Sequence, residues 1–399
     1  MTPILTEPHT AAESLLAATR AILPLVREGG DQGERERNLP PHVARAMAEA
    51  GICRMLAPRA IGGLEIDPIT QLDVIEALAY AEPSAGWVAQ VYSSNSHVAG
   101  FLPPETGYEL FGRNPNAIMS GTLAAPHGRA TVIDGGFRVS GRWPYGSGCI
   151  NADWLGFTVG VYLGDEPRLD RDGLPEQRIV VVPAASATIH DTWHVGGLRG
   201  TGSHDVELQD VFVPASWAFW WTDTPSHAGP LYKHRWWLLA HGAQRLGVAR
   251  AAIDALYELA QVKAPTRSTT IIRDRPITQM QYAQAQAMYQ SARTFLWDTT
   301  TRLWAQASDG QPLGQKDMAV ARLANTNASV VAAQVADLMF SAAGGTAIQT
   351  SHPIERLFRD AHAAAQHATA SVPTYEQWGR VLIHDDPDSI PRAPGPPLL

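Results

Sequence analysis

The chain has 399 residues, of which 45% are hydrophobic and 18% charged, and its formal net charge is −8. This length predicts two or three packed subdomains of a globular protein. The acidic balance argues against nucleic acid or an anionic membrane as partner, because both select basic surfaces. Neither a secretory signal nor an apolar run of about 18 residues is evident, so we expect a cytoplasmic protein.

Residues 1–117 predict an N-terminal helical domain. Apolar residues recur there at helical spacing, and each run begins at a capping residue or a proline. The signals are a capping box at Thr10–Glu13, an opening at Pro40–Pro41 closed by Gly51, a start at Asp67–Pro68, and an alanine-rich segment after Ser84.

Residues 118–222 predict a central β-domain. Asp134-Gly135-Gly136 separates two β-rich runs and indicates a hairpin. Further apolar or alternating runs predict strands at 154–163, 178–182 and 206–213. Their spacing favours a small barrel or sandwich over βαβ units, and no nucleotide-binding βαβ fingerprint is present.

Residues 223–385 return to long helices rich in Ala, Gln and Leu, which predict a C-terminal bundle. Breaks are expected near Pro265, Pro312 and Gly344-Gly345. The Pro-rich tail, 386–399, is expected to be extended or disordered. The fold class is therefore α+β, mostly α, in the order helices, β-domain, helices.

The stretch from His352 to His367 carries a specific spacing of Pro353, Arg356 and Arg359-Asp360. This frame resembles the late C-terminal motif of the acyl-CoA dehydrogenase superfamily. In the dehydrogenases of medium-chain type, a catalytic glutamate follows the Asp by eight residues. Here that position is Ala368, which offers no base, and His367 precedes it. A histidine at this place resembles the flavin-dependent monooxygenases built on the same fold.

The resemblance covers about residues 10–385 and implies the oxygenase component of a two-component flavin-dependent monooxygenase. It implies reduced FMN or FAD, O₂ as co-substrate, and a C4a-hydroperoxyflavin that hydroxylates a small aromatic substrate. It also implies a separate NAD(P)H-dependent flavin reductase and a homotetramer. The alternatives are an acyl-CoA dehydrogenase-like flavin dehydrogenase, an N- or S-oxygenase of the same fold, and a non-catalytic flavin-binding protein. Residues 235–247 offer no carboxylate that could replace the missing dehydrogenase base.

The segment 141–149 resembles the flavin-contacting segment of this superfamily. The resemblance places the aromatic rings of Trp143 and Tyr145 on the flavin, Gly148 beside it, and the Ser147 hydroxyl at flavin N5. An aromatic face can stack on a flat flavin, and a hydroxyl can serve N5 in either redox state. The other interpretation is a hairpin whose aromatic residues fill the core.

Other cofactor contacts are implied by shorter matches. Ser120 and Thr122 could bond the flavin pyrimidine edge or only cap a strand, and the glycine-rich stretch 196–203 places Thr201 near the flavin. The resemblance also implies a phosphate-binding set, with Arg267 chosen among several arginines. Its members are Arg267, Gln279, Gly344 and Gly345.

Three residues are predicted to be catalytic: His367, Ser147 and His97. Neutral imidazole at His367 can accept a substrate proton, and its conjugate acid can return one. Ser147 would protect the oxygenated flavin through N5. His97 is either a substrate-facing histidine or a structural one. Arg359 and Asp360 are expected to form an internal ion pair, and no spacing indicates a metal site.

Overall fold

The structure is a computed structural model that describes residues 10–123, 127–266 and 268–386. Six helices form its N-terminal part. The predicted capping box is confirmed at Thr10, whose hydroxyl accepts from the backbone N–H of Glu13 at 3.2 Å and whose own N–H donates to the Glu13 carboxylate at 2.8 Å. The helices are α1 (Ala11–Glu28), α2 (Gly30–Glu36), α3 (Pro41–Glu49), α4 (Pro68–Ala81), α5 (Pro83–Ser96) and α6 (Pro104–Gly107).

The central part is one nine-stranded mixed sheet in the order β7-β8-β3-β2-β4-β6-β9, with β1 and β5 also paired to β4. The Asp134–Gly136 hairpin is confirmed, since β2 and β3 pair around Gly135 with φ +76°. β1 and β2 both run parallel to β4, so they follow one another along its edge. The strands are β1 (Met119–Thr122), β2 (Gly128–Ile133), β3 (Gly136–Gly146), β4 (Trp154–Leu163), β5 (Glu166–Pro167), β6 (Gln177–Pro183), β7 (Thr188–His190), β8 (His204–Pro214) and β9 (Ala218–Phe219).

Strand β6 shows how the sheet joins the N-terminal helices. Val180 and Val182 face the core of the β-domain, whereas Ile179 and Val181 face a second cluster that includes Phe101 from the loop after α5. A strand buried on both faces must be apolar at successive positions, which explains its uninterrupted Ile-Val-Val-Val run. The sheet is thereby fixed against the C-terminal end of α5.

The C-terminal part is a helical bundle centred on α10, which packs against α8, α9, α11 and α12. The predicted breaks are confirmed, because the helices end before Pro265, Pro312 and Gly344. Its helices are α7 (Pro230–Lys233), α8 (Ala240–Val262), α9 (Pro276–Ser308), α10 (Gln315–Ala343), α11 (Pro353–Ala365) and α12 (Thr374–Ile383).

One described segment, Gln315–Thr346, is long and apolar enough to cross a membrane by length and composition. The expectation that no such segment exists therefore needs correction. Alanines supply much of its apolar character, and they allow close approach of the four helices that surround α10. In the single chain, 39% of the most apolar part of this segment is buried.

Candidate active site

The predicted flavin segment ends β3 in an irregular turn. The pairing of β3 with β8 shifts register between Trp143 and Gly146, and Tyr145 adopts φ +65°, which is unusual for a bulky residue. Gly148 has φ +71°, and a Cβ there would meet the Tyr92 ring at 2.7 Å. Glycine is thus required at this position, where its carbonyl accepts from the Tyr92 hydroxyl at 3.0 Å.

The Ser147 hydroxyl lies in a directed chain of hydrogen bonds. The Trp87 indole N–H donates to Ser147 Oγ at 3.1 Å, Ser147 Oγ lies 2.7 Å from Ser203 Oγ, and Ser203 Oγ lies 2.7 Å from Thr201 Oγ1. The Thr201 hydroxyl donates to the Leu198 carbonyl at 2.8 Å.

Only one proton order satisfies this chain, because each hydroxyl has a single proton. Thr201 uses its proton on Leu198, so it accepts from Ser203, and Ser203 in turn accepts from Ser147. Ser147 therefore has its proton committed and one lone pair left after accepting from Trp87. Toward a further ligand, Ser147 is an acceptor.

Trp143 does not lie where a flavin could contact it. Its side chain is fully buried, stacks on Phe157 with centroids 4.4 Å apart, and donates to the Thr158 carbonyl at 2.8 Å. It belongs to the core of the β-domain, so the core-filling interpretation holds and we withdraw Trp143 from the cofactor set. Tyr145, in contrast, is 68% exposed and only its ring edge meets Trp193.

Ser120 and Thr122 hold the turn in place. The Ser120 hydroxyl donates to the Ser147 carbonyl at 2.6 Å, and that of Thr122 donates to the Pro144 carbonyl at 3.1 Å. Both protons are thus used by the backbone of the turn. This arrangement favours the structural alternative for these two residues over a bond to the flavin pyrimidine edge.

His367 lies just beyond the end of α11 and contacts the same tryptophan that binds Ser147. Its ring meets Trp87 edge-on at 5.3 Å between centroids and stacks on His241 at 4.6 Å. Its Nδ1 lies 2.8 Å from the Thr369 hydroxyl. Trp87 thus joins the predicted N5 partner, Ser147, to the predicted proton-transfer residue, His367.

Both stacked histidines are neutral near pH 7. Burial lowers the pKa of His367 to about 3, and the positive charges of Arg245 and Arg322 add to this effect. Burial also holds the pKa of His241 far below its ordinary value, with His367 and Arg245 contributing. His367 is therefore a neutral imidazole and a weak base in the free protein, where its cationic form is scarce.

His97 lies in a different environment. It is fully buried among Phe101, Trp221 and Tyr232, with ring centroids 5.2–6.2 Å away. Its Nε2 bonds the Leu231 carbonyl at 3.0 Å, so Nε2 carries the proton, and Nδ1 is buried without a partner among the described residues. Burial lowers its pKa to about 4. His97 is a neutral member of an aromatic cluster.

The expected ion pair between Arg359 and Asp360 is replaced by other contacts. Arg359 bonds Glu34 at 2.9 Å and Glu355 at 2.7 Å. The Asp360 carboxylate accepts from the Leu198 N–H at 2.6 Å, and burial raises the pKa of Asp360 to about 8. Asp360 therefore positions the residue whose carbonyl ends the Ser147 hydrogen-bond chain.

Of the predicted phosphate-binding residues, the three that are described make no contact with Ser147. Gln279 is exposed and donates to the Arg273 carbonyl at 3.0 Å, and Gly344 and Gly345 are exposed beyond the end of α10. Arg267 lies outside the described residues.

Sequence reasoning missed several residues that the structure places at this site. They come from α5, from the segment 235–247, whose histidine received no role, and from α10. The available signal was the presence of polar residues within an otherwise apolar helical pattern. Tertiary packing decides whether such residues face a site, so the pattern alone does not identify them. The missed residues are Trp87, Gln90, Arg235, His241, Arg245 and Arg322.

The hydrogen-bond acceptor that Ser147 provides fits a reduced flavin. N5 of reduced flavin carries a proton, whereas N5 of oxidised flavin is an acceptor, and Ser147 offers a lone pair with its proton already used. The exposed Tyr145 ring offers an aromatic face at the same turn. No group of three or more metal-ligating side chains occurs within the described ranges.

Comparison with known proteins agrees with these features. Residues 17–100 match the model of the acyl-CoA dehydrogenase N-terminal domain, and residues 239–372 match that of the C-terminal domain. The chain is 35% identical to an indole-3-acetate monooxygenase of Pseudomonas putida, over 93% of this chain and 94% of the relative.

Two further relatives are similar over most of their length. A flavin-dependent monooxygenase oxygenase subunit, HsaA, of Mycobacterium tuberculosis is 29% identical over 90% of this chain and 92% of its own. The structure of XiaF from a Streptomyces species, in complex with FADH2 and glycerol, has a TM-score of 0.85 and 28% identity, covering 96% of this chain and 98% of that one.

Proposed function

The chain belongs to the flavin-dependent monooxygenases of the acyl-CoA dehydrogenase family, and from that premise we propose that it hydroxylates a small aromatic acid at the Trp87 site. It is an oxygenase component that uses reduced flavin and O₂ and depends on a separate reductase. Indole-3-acetate, in the name of the relative from Pseudomonas putida, is the first candidate substrate.

One observation carries the assignment of the site. The Trp87 indole N–H bonds Ser147 at 3.1 Å while the same ring contacts His367 at 5.3 Å. The proposed flavin contact, Ser147, and the proposed proton-transfer group, His367, thus both contact one rigid side chain. Such rigid positioning is what an oxygen transfer that must exclude water requires.

The proposed roles follow from the atoms available. Bound reduced flavin supplies the electrons that activate O₂, from which one oxygen atom enters the substrate. Ser147 Oγ accepts the hydrogen bond of flavin N5–H, and the chain through Ser203 and Thr201 keeps it an acceptor. Tyr145 contributes ring contact. His367 accepts the substrate proton in its neutral form and returns a proton when oxygen transfer is complete.

We propose that His97 contacts the substrate within the aromatic cluster and does not transfer protons. The cluster of His97, Phe101, Trp221 and Tyr232 provides flat apolar faces that suit an aromatic ring. The low pKa of His97 keeps it uncharged, so it can accept a hydrogen bond at Nδ1 from a substrate N–H or O–H.

The assembly proposed is a cytoplasmic homotetramer served by an NAD(P)H-dependent reductase. Large apolar side chains are exposed near the ends of α8, α9 and α10, beside Gln279 and Gly344. Such a patch is buried best against another copy. It would bring Gln279, Gly344, Gly345 and Arg267 toward the flavin of a neighbouring subunit. The exposed side chains are Tyr257, Val262, Ile277, Met280 and Ile348.

The proposed function is tested by supplying FMN or FAD, NAD(P)H and a flavin reductase, and following O₂ uptake and product with indole-3-acetate. We expect O₂ uptake coupled to a hydroxylated product, and none with oxidised flavin alone. A dehydrogenase would instead bleach its bound flavin when mixed anaerobically with an acyl-CoA. That bleaching would overturn the proposal.

A further inference from the structure

Three arginines near the two groups of site residues are buried without an acidic partner among the described residues. Arg235, Arg245 and Arg322 are 7%, 0% and 6% exposed, and none forms a salt bridge within the described part of the chain. Burying a cation without a counter-ion is costly, so proteins retain such a group chiefly where it binds something. Arg245 has a structural explanation, since it donates to the carbonyls of His241 and Ala364.

Arg235 and Arg322 lie over the Trp221 and Trp378 rings, but these contacts leave several of their N–H groups without an acceptor. Nη2 of Arg235 is buried without a partner among the described residues, as are Nε and Nη1 of Arg322. The remaining bond from Arg322 is a single donation from Nη2 to the Thr369 carbonyl at 3.1 Å. Two guanidinium groups therefore keep free donors in a dry environment, where a planar anion with two oxygens would satisfy them.

The two charges lie near each other, because the helical turn Trp236–Leu239, which follows Arg235, packs against α10, which carries Arg322. The charge of Arg235 helps to lower the pKa of Arg322, which burial brings to about 9, and it also lowers the pKa of His97. The charge of Arg322 helps to lower the pKa of His367. Both arginines remain cationic at neutral pH, so this region carries two uncompensated positive charges.

The surroundings of Arg235 are aromatic. Its guanidinium lies over the Trp221 ring at 5.3 Å, and Trp221 contacts both His97 and Trp237. The Trp237 indole N–H is also buried without a partner among the described residues. An anionic group bound at Arg235 would thus lie against an aromatic surface.

We propose that Arg235 and Arg322 form a subsite for the carboxylate of an aromatic acid, so that the enzyme selects anionic over neutral substrates. This inference rests on the proposed function for the identity of the ring, but the charge selection follows from the arginines alone. It also links binding to proton transfer, because a bound carboxylate would offset the charge of Arg322 and raise the pKa of His367.

The test compares indole-3-acetate with indole-3-acetamide, which has nearly the same shape but no charge. Calorimetry on the full-length protein, with and without FAD, should give about 10²-fold tighter binding of the acid. Arg235→Met and Arg322→Met should each reduce this acid-to-amide ratio at least about tenfold, since removing one partner of a desolvated charge pair weakens binding strongly. Arg322→Lys should retain part of it.

Two further measurements keep the result interpretable. Without ligand, Arg322→Met should melt at a higher temperature than wild type, because an uncompensated buried charge has been removed. Arg138→Met, a substitution at an exposed arginine of β3 that bonds Asp210, serves as control and should leave the acid-to-amide ratio unchanged.

The inference is overturned if wild type binds the acid no better than the amide, or if both methionine variants keep the wild-type ratio. Loss of FAD affinity with an unchanged ratio would assign the arginines to the flavin phosphate and also overturn it. The proposed function fails separately: in that case the acid binds selectively, but no hydroxylated product appears with reduced flavin and O₂.

Discussion

The Trp87 indole N–H donates to the Ser147 hydroxyl at 3.1 Å, which ties helix α5 to the end of strand β3. These residues are 60 positions apart in sequence, and both are buried. Ser147 donates its only proton to Ser203 and accepts a hydrogen bond from Trp87. Toward any further ligand it can therefore only accept. The order of protons along this chain of hydroxyls therefore predicts a preference for reduced over oxidised flavin.

Removing Ser203 should weaken that preference. In Ser203→Ala the Ser147 proton becomes free to donate to N5 of oxidised flavin, so the ratio of oxidised to reduced dissociation constants should fall about three- to tenfold. Anaerobic titration with FMN, FAD and their reduced forms measures it. Ser291→Ala, at an exposed α9 serine, is the control, and an unchanged ratio in Ser203→Ala would contradict the proton order.

Ser147→Ala should uncouple O₂ consumption from product formation. Without the acceptor at N5, less of the O₂ consumed should appear as hydroxylated product and more as peroxide. The measurement is peroxide released per O₂ consumed, with catalase added in a parallel assay. Coupling equal to that of wild type would remove Ser147 from the flavin site.

His367→Ala should slow hydroxylation by about 10²-fold and leave reduced-flavin affinity nearly unchanged, as expected for loss of a general acid–base. His362→Ala is the matched control, because His362 is a partly exposed histidine of α11 that bonds Asp337 at 2.9 Å. Rapid-quench measurement of product formed in a single turnover compares the hydroxylation rates of the two variants. Equal rates in both variants would exclude His367 from proton transfer.

The buried histidines should make stability fall in mild acid. For His97 the folded-state pKa is about 4 and its ordinary value is 6.5, so the unfolded chain binds the proton more readily. Its contribution is complete above pH 6.5 and is lost as pH falls toward 4, by at most about 1.4 kcal/mol per pH unit. Urea unfolding between pH 7 and 5 should be less pH-dependent in His97→Asn than in wild type or in His42→Asn, at an exposed residue.

The apolar patch should hold the tetramer together. Met280→Glu places a charge where Met280 is 57% exposed in the single chain, and it should shift light scattering from tetramer to smaller species with weaker flavin binding. The control is Glu166→Gln, at an exposed residue of β5. If the wild-type protein is monomeric at micromolar concentration, the proposed homotetramer is wrong.

The local sequence predicted the elements well. The capping box at Thr10, the hairpin at Gly135 and the ends of α8, α9 and α10 depend on neighbouring residues, whose conformational preferences act over a few positions. The motif from Pro353 to His367 also identified the family, because its spacing lies within one helix and its end.

Tertiary packing alone decided which side chains meet. Trp143 and Tyr145 are two residues apart, yet one fills the core and the other is exposed, because the register shift in β3 redirects the strand between them. Likewise, Arg322 lies on α10 and Arg235 in the loop after α7, and no local pattern reveals that both are buried without an acidic partner among the described residues. Burial and the absence of a counter-ion are properties of the assembled core, so the chemistry of the site emerged only from the fold.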